Sequence, residues 1–132
     1  SLKQGQTLLH TALAVFGGSQ LVEMRRSLTA GDIQAHLPTV FGVLTRELKL
    51  EHPLSVRLLL FRTLRDLIGS AVRLGVLGPH KGQSIQSRMT PHAHEIAERS
   101  ACLTLDDVAH SAPLIDILQG AHDRLYSRLF QT

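Results

Sequence analysis

The sequence contains one cysteine, Cys102, and no tryptophan. A lone thiol excludes an internal disulfide and cannot build a thiolate metal cluster within the chain, which fits a reducing compartment and predicts a cytoplasmic protein. Aromatic residues are 4% of the chain, and the one adjacent basic pair is Arg25-Arg26. Nucleic-acid surfaces need a basic stripe with stacking or base-reading groups beside it. Here the cations are dispersed: residues 1–50 hold five basic and three acidic groups, and residues 51–132 hold nine and eight. No nucleic-acid partner is expected. Long apolar runs are missing as well. The runs Ala12 to Phe16 and Leu58 to Phe61 stop at five and four residues, against the roughly 20 needed to span a bilayer. The opening "SLKQGQTLLH" lacks the basic, apolar, small-residue order of a signal peptide, so neither export nor a membrane partner is expected.

What is present is helical periodicity. Hydrophobic residues make up 43% and charged residues 19% of 132 positions, a composition for a folded chain with one core. No stretch alternates with period two and no internal repeat occurs, so the expected fold is all-α. It is read as a single compact domain over residues 1–132, a bundle of about six to seven helices. Leu8, Leu9, Ala12, Leu13 and Phe16 form a first stripe that ends at Gly17-Gly18. A second segment runs from Ser19 to about Leu28 and closes at Gly31. Pro38 opens a short third helix carrying Val40, Phe41, Val43, Leu44 and Leu48. The strongest pattern runs from Pro53 to Leu74, where Leu54, Leu58, Phe61, Leu64, Ile68 and Val72 recur every three or four residues. At about 33 Å long, this helix is expected to lie at the centre of the bundle. Beyond it, Pro91 predicts a kink, or two helices meeting near Thr90 with Thr90 as cap. Asp106 and Asp107 follow Thr104 at the positive end of a short helix and read as capping residues. Ala112-Pro113 opens a last helix with Leu114, Leu118, Leu125 and Leu129 on one side.

Chemistry is harder to find. Of the eight histidines, His92 and His94 with His80 upstream make the best metal candidate. Residues two apart on a helix point about 200° apart, and no pair has the His-x-x-x-His spacing of a helical site. A direct metal-binding role for His80, His92 and His94 therefore stands only as an alternative, and no resident metal or cofactor is expected. Cys102 lies among apolar neighbours and reads as a small buried hydrophobe. "GPHKGQS" places Lys81 before its second glycine, unlike a phosphate-binding loop. No catalytic residue emerges, and the chain is not expected to be an enzyme. The carboxyl end is different: Leu125, Tyr126, Leu129 and Phe130 crowd into the final eight residues, and chain ends that carry such groups either fold back or bind a partner.

Three stretches carry a family likeness. "LPTVFGVLTREL", "RTLRDLIGSAVRLGVLGPHKGQ" and "SAPLIDILQGAHDRLYSRLF" resemble, in this order, the middle and C-terminal parts of UreF-type urease accessory proteins. The matching elements are the run Ala71 to Gly75, which includes Arg73, then Gly78-Pro79, then Ala112 to Asp116 with Pro113, and finally His122, Tyr126, Arg128, Leu129 and Phe130. The family's earlier Pro-x-Gly…Ser-x-Gly-Leu-Glu motif has no counterpart, so the likeness covers the later half of the usual length. Gln119-Gly120-Ala121 stands where many bacterial members have a Met-Arg-like pair, which resembles the eukaryotic branch. The resemblance implies a non-enzymatic scaffold that dimerises, binds the UreD/UreH accessory protein and the GTPase UreG, and presents the assembly to apo-urease for nickel insertion. Nickel is then handled by the complex. It further implies that residues 127–132 are a partner-binding tail, with His122, Tyr126, Ser127, Arg128, Leu129 and Phe130 at the contact, while Arg73, Gly75, Gly78, Pro79, Pro113 and Asp116 keep structural roles.

Overall fold

A computed structural model describes residues 2–107. The chain divides into two units, Ser1–Ala101 and Cys102–Thr132. Five α-helices build the first: α1 (Leu2–Val15), α2 (Ser19–Ala30), α3 (Leu37–Glu47), α4 (His52–Arg73) and α5 (Pro79–Ser100). Among the described residues there is no strand, as the helical spacing predicts. A count of six to seven helices extends over residues outside that range.

The core belongs to α1, α2 and α3. Leu9 and Ala12 from α1, Leu21 and Met24 from α2, and Val40 and Leu44 from α3 are buried together with Ala35. Each larger aliphatic side chain removed from water contributes about 1.5–3 kcal/mol. Leu8, Leu13, Leu28 and Val43 pack around them. Gly5 is buried in α1, where an added Cβ would run into the carbonyl oxygen of Ala35 and the carbonyl carbon of His36. The α1–α3 crossing depends on that missing side chain.

Backbone closure follows the glycines in α1, α2 and α4, but not in α3 or α5. Gly31 ends α2 at φ 86°, its N–H bonding to Leu28 O and that of Asp32 to Ser27 O. This double bond is the usual left-handed helix stop. The end of α3 is built in the same way by Lys49, at φ 56°, with Lys49 N–H on Arg46 O and Leu50 N–H on Thr45 O, both at 2.9 Å. The start of α2 lacks a local cap, since Gly18 has no side chain and no acidic residue stands in the first turn. Glu47 of α3 supplies one from a distance: its carboxylate accepts from Gln20 N–H at 3.1 Å and complements the helix dipole.

Three sequence expectations need correction. The helix α4 begins and ends within one residue of its expected bounds but is not central among the described residues, for Ile68 is its one buried residue. Leu54, Phe61 and Leu67 are 45%, 44% and 66% exposed. The helix packs on α5 and touches α3, but not α1 or α2. Periodicity identifies an apolar face without saying what covers it. The second correction concerns Pro91, which lies inside one uninterrupted helix, α5. Thr90 does not cap a new helix; its hydroxyl donates to Gln86 O at 2.8 Å. Ser87, whose carbonyl loses its partner to the proline, is exposed and can turn to water, so the helix runs on. Third, Cys102 is exposed rather than buried.

Among the described residues of the second unit a 3₁₀ turn spans Leu105–Asp107. Asp107 Oδ2 accepts from the Thr104 backbone N–H at 2.8 Å and from its hydroxyl at 2.9 Å, the capping role expected of it. These two donors, the backbone one first, hold the Asp107 carboxyl below the usual carboxylate range. The folded value is lower than the unfolded one, so the cap is fully present above the ordinary range and is lost as pH falls through the lowered value. Thr104→Ala removes the lesser donor. The Asp107 midpoint, followed by carboxyl carbon NMR, should then move part of the way up, and an unmoved midpoint would contradict the cap.

Candidate protein-interaction surface

Of the residues the sequence singles out, Arg73, Gly75, Gly78 and Pro79 fall at the α4–α5 junction. Arg73 occupies the last turn of α4 and its Nη2 donates to Ser70 Oγ at 3.0 Å. Gly75 takes φ 73°, which lets its N–H reach Val72 O and that of Val76 reach Ala71 O, both at 3.0 Å. Gly78 stands before α5 in extended backbone and Pro79 fills the first turn, where its missing N–H costs nothing. Together these residues turn the chain back so that α5 lies along α4. Gly82 is what brings the two helices close, since a Cβ there would sit 3.1 Å from methyl groups of both Ile68 and Val72. Pro113, Asp116, His122, Tyr126, Ser127, Arg128, Leu129 and Phe130 lie outside the described residues.

The three histidines are not brought together. Because α5 is continuous, His92 and His94 diverge, and each faces a glutamate on its own helix: His92 Nδ1 is 3.8 Å from Glu95 Oε2, and His94 Nε2 is 3.2 Å from Glu98 Oε1. His80 lies twelve positions earlier than His92, about 18 Å along the axis. Among the described residues no three His, Cys, Asp or Glu side chains are grouped to hold an ion. No described helix is long and apolar enough to cross a membrane.

The described surface instead offers apolar grooves. Leu58, Phe61 and Leu64 of α4 face Thr90, Ala93 and His94 of α5 across a groove of about 230 Å³, with Arg57 at its edge. A larger one, of about 590 Å³, opens between α3 and the first turns of α4. Phe41, Leu50, Val56 and Leu59 line it and all four are half-buried. Arg46 and Lys49 stand on the α3 side, and Glu51 and His52 on the α4 side. Sequence reasoning missed this second groove, because its apolar lining comes from two helices and the loop between them. The one available signal was the short, proline-started α3 running straight into a second proline-started helix.

The UreF family profile matches residues 1–90. Urease accessory protein F of Arabidopsis thaliana is 31% identical over 98% of this chain and 55% of its own length. Urease accessory protein UreF of Paenarthrobacter aurescens is 32% identical over 100% of this chain and 59% of its own. An uncharacterized UreF-like urease accessory protein of Schizosaccharomyces pombe is 31% identical over 100% and 60%. The chain thus spans little more than half the length of these relatives. No solved structure matches it.

Proposed function

This chain belongs to the UreF family, and from that premise we propose that it serves as a non-enzymatic scaffold in urease maturation. In this reading it binds the UreD/UreH accessory protein and the UreG GTPase, forms a homodimer, and assists the passage of nickel into apo-urease without holding the metal itself. The observation that carries the proposal is the likeness along the whole chain to proteins named for a urease accessory role. The exposed apolar side chains of α4 agree with it, since large apolar patches left on a folded surface mark sites of association.

The C-terminal residues Leu129 and Phe130 are proposed as anchors in the UreD/UreH partner, with Arg128 placed for a carboxylate. A segment that orders on binding loses chain entropy, which buried anchors of this size offset. Deleting residues 127–132 should leave far-ultraviolet circular dichroism nearly unchanged while abolishing capture of separately expressed UreD/UreH. Phe130→Ala and Arg128→Ala should each weaken capture, by roughly tenfold or more if they are anchors. Undiminished capture by the truncated chain would remove the tail from the mechanism. Equilibrium dialysis against nickel at micromolar metal tests the alternative in which His80, His92 and His94 bind the ion: tight binding lost on their replacement would favour it.

A further inference from the structure

We infer that the groove between α3 and α4 is a docking site for an acidic amphipathic helix of a partner protein. This rests on the reading of the chain as a protein-binding scaffold, and the surface is distinct from the C-terminal tail. The floor is apolar and half-buried, formed by Phe41, Leu50, Val56 and Leu59. Along its α3 edge stand Arg46 and Lys49, both exposed, and no ion pair among the described residues includes either. A helix that lays its apolar stripe on this floor brings flanking carboxylates to the two cations. Glu51, on the opposite edge, repels a carboxylate there, so the acidic flank must lie toward α3.

Lys49 adds an independent reason. It holds a left-handed backbone at φ 56°, in a helix stop where glycine would be unstrained and where Gly31 and Gly75 do serve in α2 and α4. Strain of this kind is kept where the side chain has work to do. At Lys49 that backbone carries a cationic side chain at the mouth of an apolar groove.

The test is an NMR titration of the whole ¹⁵N-labelled chain with a synthetic helix of about 18 residues. Leucines are set at i, i+3, i+4 and i+7 and glutamates at the remaining positions, and a second peptide carries lysine in place of every glutamate. Shift changes from the acidic peptide should map to residues 41–59. The lysine peptide, and the Arg46→Glu/Lys49→Glu variant with the acidic peptide, should each bind at least roughly tenfold more weakly. Lys49→Gly should raise the melting temperature by about 4 °C yet weaken the acidic peptide. Equal affinity for both peptides, shifts centred on the exposed Leu54–Leu58–Phe61 stripe, or no shifts would each overturn the inference. No urease component takes part, so a negative result here is separate from failure of the tail experiment.

Discussion

Leu21→Ala should lower the unfolding free energy by about 3 kcal/mol, whereas Leu58→Ala should change it by no more than about 0.5 kcal/mol. Leu21 is 0% exposed and shares its surroundings with Leu9, Met24 and Val40. Removing three carbons there leaves a void that close-packed helices fill only in part, so a cavity penalty adds to the lost transfer free energy. The side chain of Leu58 is 39% exposed at the edge of the α4–α5 groove, and its truncation returns little buried area to water. The amphipathic pattern ranks the two the other way, since α4 carries the longest apolar stripe in the sequence. Urea unfolding of both variants beside the parent chain decides it. A larger loss at Leu58 would mean that something in solution covers the α4 stripe.

Gly5→Ala should destabilise the fold by about 1–3 kcal/mol, and here the sign matters more than the size. Helix propensity favours alanine over glycine inside a helix by about 1 kcal/mol, so a freely exposed position would gain. At Gly5 the new methyl group has backbone atoms of Ala35 and His36 in its way, and backbone cannot swing aside as the end of a long side chain can. Relief requires α1 to tilt off α3, which pulls Leu9 and Ala12 out of contact with Val40 and Leu44, or the first turn of α1 to unwind. Overpacking of this kind costs about 1–3 kcal/mol. The melting temperature should fall by several degrees, at about 4–8 °C per kcal/mol for a domain of this size. A rise would mean that α1 and the Ala35 segment are not pressed together.

The helices themselves were legible because their local chemistry is strong: Gly17-Gly18, Gly31 and Gly75 mark stops, Pro38 and Pro79 mark starts, and the apolar spacing between them has a helical period. What lay beyond reach was long-range. No window of sequence around Ser19 shows that Glu47, 27 residues later than Gln20, caps α2. The same blindness misplaced α4, whose stripe looked like a core and is half uncovered among the described residues. Pro91 misled for a different reason, since its effect depends on whether Ser87 can reach water, which is a matter of burial. Of the proposed partner-binding residues, the sequence supplied the C-terminal set by resemblance, while the α3–α4 groove needed coordinates because no single helix contains it.

The helix α3 is the one described element in contact with both the α1–α2 pair and α4, and its own link to α4 is the short stretch from Leu48 to Glu51. Cooperativity is therefore expected to be divided. Amide protons of α1, α2 and α3 should exchange only through global opening, while those of α4 and α5, secured chiefly by each other, should escape through a cheaper subglobal event. A ligand lodged against the Leu48–Glu51 connection would tie the two regions and slow exchange in both, so one small segment governs whether the molecule melts as a whole or by halves.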